Sequence, residues 1–126
     1  MWVKYYATLY PSRKPADFGT YCSGLATNLR EPGRMRALRH MLLASKAASE
    51  AALPEVKAPA LVVMGARDPD FKDPRAEAEW VAGRLNAEVC VIDGAGHYPP
   101  AEMPAEFGAA VMPFLQQLRM GSERVA

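Results

Sequence analysis

Ala60-Leu61-Val62-Val63-Met64 is a continuous apolar run closed by Gly65, and Glu88-Val89-Cys90-Val91-Ile92 is a second run, closed by Asp93-Gly94-Ala95-Gly96-His97. Short apolar runs bounded by glycine mark strands buried on both faces. Between them lies one helical segment. Asp73 has the side chain of an N-cap and Pro74 suits the first helical position, with Ala78, Trp80, Val81 and Leu85 following and an end near Asn86. Strand, helix, strand with a single crossover implies parallel strands and a right-handed connection. The reading is therefore an α/β chain with two parallel strands, about residues 60–64 and 88–92. A last helix begins near Pro104 and carries Phe107, Val111, Phe114, Leu115 and Leu118 on one stripe. Pro113 falls inside it and predicts a kink or an irregular turn.

Residues 1–53 read differently. A helix over Ala16–Leu29 places Phe18, Cys22, Leu25, Ala26 and Leu29 together. The break at Arg30-Glu31-Pro32-Gly33 leads into a second helix running to about Ala52, with Met35, Leu38, Leu42 and Leu43 apolar, and Pro54 stops it. The boundary between a helical segment (1–53) and an α/β segment (54–126) falls in the connector at Pro54–Pro59.

Charge follows the same division. Residues 1–58 hold nine Lys/Arg against four Asp/Glu, and residues 59–126 hold six against ten. Arg30, Arg34, Arg36, Arg39 and Lys46 read as a solvated helix face, because no aromatic residues interleave with them as nucleic-acid binding would require. No apolar run approaches the ~18 residues of a membrane helix. The first residues, Met1-Trp2-Val3-Lys4-Tyr5-Tyr6, lack a secretory pattern. Two cysteines, Cys22 and Cys90, make neither a disulfide framework nor a four-ligand zinc site, so a cytoplasmic chain without metal or cofactor is expected. Cys90 fits a small core position, and His40 and His97 lie on different segments.

The chemistry gathers where parallel strands end, since loops there open onto one rim. Asp68 follows the first strand and His97 the second. Neighbouring strands lie about 4.8 Å apart, so the two side chains are expected to meet. The carboxylate would accept from Nδ1–H and fix the tautomer, leaving Nε2 to take a proton from a nucleophile. Asp70 is a competing acid. Gly94 and Gly96 are expected to supply the backbone freedom that presents His97. Trp2, Tyr5, Tyr6 and Tyr10 are candidates for an apolar wall beneath a lid, or for ordinary packing.

Pro59-Ala60-Leu61-Val62-Val63-Met64-Gly65-Ala66-Arg67-Asp68, followed by Gly94-Ala95-Gly96-His97-Tyr98-Pro99-Pro100-Ala101-Glu102, resembles the C-terminal portion of the α/β-hydrolase superfamily. The resemblance covers about residues 56–118 and includes Phe114-Leu115 in the final helix. It implies a partial α/β-hydrolase fold, with Asp68 as the acid, His97 as the base and residues 1–53 as lid helices. The family's order is Ser, Asp, His, with the serine in Gly-x-Ser-x-Gly. None of the serines at 12, 23, 45, 49 and 122 fits, since Tyr21 and Leu25 flank Ser23 where glycines are required. The resemblance thus implies a C-terminal fragment, inactive alone, of an enzyme acting on a small apolar ester, epoxide or similar substrate. Two strands also leave open edges, so self-association or a complementary N-terminal half is an expected partner. A non-enzymatic module that binds a small ligand or partner is the alternative.

Overall fold

A computed structural model describes residues 2–123, with side chains described through residue 120. Seven α-helices and one two-stranded sheet make up these residues. The helices α1 (Trp2–Thr8), α2 (Phe18–Arg30), α3 (Arg34–Leu43) and α4 (Ala47–Ala52) come first, followed by a 3-10 turn at Leu53–Glu55. Strand β1 (Leu61–Gly65), helix α5 (Pro74–Leu85) and strand β2 (Glu88–Ile92) form the crossover unit. A short helix α6 (Pro99–Glu102) and a long one, α7 (Pro104–Glu123), complete the chain.

The strands are parallel, in register from Leu61 opposite Glu88 to Gly65 opposite Ile92. The unit between them forms for the local reasons legible in its residues. The Asp73 carboxylate accepts the Ala76 amide, at 3.0 Å, and Pro74 occupies the first turn. Asn86 closes α5 in the left-handed region, with φ of 51°. Helix α5 lies against both strands, and α7 touches both as well.

Several expectations need correction. The single helix anticipated up to Ala52 is two helices, α3 and α4. The break has a physical cause: Lys46 Nζ donates to the carbonyls of Met41 and Ala44, and Ser45 Oγ accepts the Ala47 amide. Pro32 lies in the break before α3, and Gly33, with φ of 82°, makes the bend. The apolar Met35, Leu42 and Leu43 of α3 lie exposed, Leu43 at 74%. The strands are not buried on both faces either. Leu61–Met64 are only half-buried and Val89 is exposed, because two strands and two helices cannot cover both sheet faces. Helix α7 runs through Pro113 as one continuous element, with Phe107, Val111 and Phe114 half-buried while Leu115 and Leu118 stay exposed. In α5 the buried residues are Ala78 and Ala82, and Trp80 is exposed.

Burial concentrates at the carboxyl ends of the strands. Leu9, Tyr10, Ile92 and Ala95 are buried there together with Gly65, Gly96 and Pro99. The segment before α2 thus shares a core with the turn after β2, across the division at residues 53 and 54.

Candidate active site

The turn after β1 presents Asp68 by its own hydrogen bonds. The Asp68 amide donates to the Gly65 carbonyl at 3.2 Å, and its Oδ1 accepts the Asp70 amide at 3.0 Å. An aspartate that caps its own turn in this way has a fixed rotamer. Its side chain is 4% exposed, and its free oxygen, Oδ2, lies 2.9 Å from Nδ1 of His97. The pair is 29 residues apart in sequence and adjacent in space because β1 and β2 are adjacent.

The turn after β2 is held against β1 by backbone. The Ala66 amide donates to the Ile92 carbonyl at 3.0 Å and the Arg67 amide to the Ala95 carbonyl at 2.8 Å. So close is this approach that a Cβ on Gly65 would lie 2.0 Å from the Gly96 carbonyl oxygen. The two glycines expected to free the turn act differently. Gly94 adopts a φ of 83°, which a side chain disfavours. Gly96 has no such angle; it is required because a Cβ there would lie 2.3 Å from Pro11 Cδ and 2.4 Å from the Leu9 carbonyl oxygen.

That second contact belongs to a clasp from the N-terminal segment. The His97 amide donates to the Leu9 carbonyl at 2.9 Å, and Ser12 Oγ donates to the Gly94 carbonyl. Glu102, 0% exposed, lies at the centre. Its Oε1 accepts the amides of Ser12 and Arg13, at 2.6 and 3.1 Å, and its Oε2 accepts the Gly96 amide at 2.6 Å. The sequence alone gives Glu102 no role, because two of its three amide partners, Ser12 and Arg13, lie about ninety residues away. The available signal was an acid at the end of a four-residue helix that Pro99 and Pro100 open, directly after the histidine turn.

Asp70 stands second to Asp68. Its Oδ2 is 3.5 Å from His97 Nδ1, and its Oδ1 accepts the Tyr5 hydroxyl. That bond, together with burial, pushes the Tyr5 phenol up to about 12. Burial likewise raises the phenols of Tyr6 and Tyr98. Tyr98 sets its ring edge-on to the imidazole, centroids 4.9 Å apart, and stacks on Tyr10 at 5.2 Å. Tyr6, Tyr10, Phe18 and Tyr21 line a recess of about 200 Å³ beyond it. Of the aromatic residues marked as wall candidates, Tyr6 and Tyr10 line this recess, Tyr5 reaches Asp70, and Trp2 packs on Tyr5.

With Nδ1 donating to Asp68, Nε2 carries the lone pair. No other described residue hydrogen-bonds Nε2, and the side chain is 34% exposed. Such an arrangement can serve chemically as a general base oriented by a carboxylate. One ligand atom each from Asp68, Asp70 and His97 also falls within a 4.8 Å sphere of separations, a spacing that suits a cation. A metal on Nδ1 would have to displace the proton shared with Asp68, so the two uses exclude each other. His40 is exposed on α3, and Cys22 and Cys90 are free thiols, half-buried. No protein-family model, curated protein or solved structure matches this chain.

Proposed function

We propose that this chain supplies the acid and histidine of an α/β-hydrolase-type active site, acting on a small apolar ester, epoxide or similar substrate. The nucleophile would come from a Gly-x-Ser-x-Gly elbow outside these 126 residues. The observation that carries the reading is the 2.9 Å bond between Asp68 and His97 at the ends of adjacent parallel strands. In the reaction, His97 Nε2 takes the proton of the attacking hydroxyl, Asp68 stabilises the imidazolium, and the proton passes on to the leaving group. Residues 1–53 would serve as the lid. Among the described residues no helix is long and apolar enough to cross a membrane. A cytoplasmic setting remains part of the proposal.

The test is ester hydrolysis by the purified chain, alone and mixed with the polypeptide encoded directly upstream of it. Alone it should show no saturable turnover of p-nitrophenyl acetate; complemented, it should turn over and lose that activity in His97→Ala. Steady, His97-dependent turnover by the chain alone would overturn the need for an outside nucleophile. Full activity of the complemented His97→Ala variant would overturn the acid–base role.

The second reading, a non-enzymatic module assembling through a sheet edge, has one favouring observation. Among the described residues each strand has a single neighbour, so β1 and β2 both present an open edge. Native mass measurement separates them: a stable monomer argues against edge-driven assembly.

A further inference from the structure

Glu102 is the largest fully buried side chain among the described residues, and the proton-transfer scheme makes no use of it. A buried carboxylate is costly unless each oxygen is satisfied. Here both are: Oε1 by the Ser12 and Arg13 amides, Oε2 by the Gly96 amide. With N–H donors on both oxygens, the site is built for an acceptor on each side.

These donors belong to two segments that also bond each other. The amide of His97 donates to the carbonyl of Leu9, so the residue bearing the imidazole is fixed through Gly96 on one side and Leu9 on the other. Glu102 holds Gly96 directly and holds the Leu9-bearing segment through Ser12 and Arg13. A triangle results, with Glu102, the His97 turn and residues 9–13 as its corners. Residues 9–13 lead directly towards α2, so the same carboxylate ties the helical N-terminal segment to the histidine.

We propose that Glu102 is a positioning residue that sets His97 against Asp68 and couples its placement to the N-terminal segment. The inference rests on the acid–base reading of His97 for its bearing on turnover, and on geometry alone for its bearing on the imidazole. Glu102→Gln is the sharp perturbation. The amide keeps the shape but offers one acceptor and one donor, so in either orientation an NH₂ group faces a backbone N–H.

The test is NMR and hydrogen exchange on the full chain. In Glu102→Gln, exchange of the Gly96, Ser12 and Arg13 amides should accelerate about 10- to 100-fold, as expected for loss of a charge-assisted bond. The imidazole Nδ1–H resonance should broaden or shift away from its hydrogen-bonded position, while amides of Val62 and Val63 in β1 keep their protection. An unchanged imidazole resonance beside intact β1 amides would overturn the proposal. The unsubstituted chain supplies a measurement that survives misfolding of the variant. Its Gly96, His97, Ser12 and Arg13 amides should exchange through one common opening, and independent openings would overturn the proposal equally. The two readings fail separately: a complemented His97→Ala enzyme that stays active sinks the catalytic role, whereas an imidazole indifferent to Glu102→Gln sinks the positioning role.

Discussion

Gly65→Ala tests the packing that brings the two strand ends together. The added Cβ would lie 2.0 Å from the Gly96 carbonyl oxygen, 2.5 Å from that of Ala95 and 2.7 Å from the Ala95 carbonyl carbon. All three are backbone atoms, so no side chain can rotate away. Reaching an ordinary contact of about 3.4 Å requires the turn to retreat by roughly 1.4 Å. A retreat of that size takes the Arg67 amide, now 2.8 Å from the Ala95 carbonyl, outside hydrogen-bonding distance. One lost backbone bond costs about 1 kcal/mol, and overpacking a filled site about 1–3 kcal/mol, for a total of about 2–4 kcal/mol. The turn that moves carries His97, so the imidazole should also leave Asp68. Urea unfolding measures the first effect and the Nδ1–H resonance the second. Gly83→Ala is the control: nothing lies within 4 Å of its Cβ position in α5, and alanine there should stabilise by about 0.5–1 kcal/mol. A Gly65→Ala variant destabilised by less than about 0.5 kcal/mol, with the imidazole signal in place, would refute the close-approach argument.

Three further outcomes are expected. Asp68→Asn should abolish the hydrogen-bonded Nδ1–H signal and lower turnover of the complemented enzyme on the order of 10⁴-fold, whereas Asp70→Asn should leave the signal in place; the reverse ranking would make Asp70 the acid. Tyr5 ionises near 12 when folded against 10.0 for a free phenol, so its contribution to stability is complete below pH 10 and lost as pH rises towards 12. Tyr5→Phe should therefore flatten the alkaline fall in stability over that window, measured by urea midpoints at successive pH values, and an equally steep fall would refute it. Asp73→Ala should cost about 1 kcal/mol through loss of the α5 cap to Ala76, read by the same unfolding titration; no change would mean the cap is not used.

The unit from β1 to β2 was legible because its signals are local. The glycine-closed apolar runs, Asp73-Pro74 and Asn86 each act on neighbouring residues, and the structure shows the strands and α5 within a residue of those marks. The meeting of Asp68 and His97 followed from topology alone. What stayed hidden depends on distant partners or on competing local bonds. Glu102 reads as one more surface acid until the amides of Ser12 and Arg13 are seen above it. Met35, Leu42 and Leu43 are apolar yet exposed, since periodicity states which residues share a side, not whether anything covers it. The division of the second helix turns on the side chains of Ser45 and Lys46, which compete with the helical bonds between Leu43 and Ala47.

The clasp between residues 9–13 and 94–102 also governs how the intervening chain is free to change. The bond from Ser12 to Glu102 spans 90 positions, while that from His97 to Asp68 spans 29. Closure entropy grows only logarithmically with loop length, so the wider span costs about 1 kcal/mol more than the narrower one. Lengthening or trimming the exposed stretch around α3 and α4 by ten residues would alter that cost by only about 0.1 kcal/mol. The histidine turn is thus insulated from the size of the helical segment looped out between the two ends of the clasp. Helices α3 and α4 can be recast in length and composition while the clasp keeps its geometry.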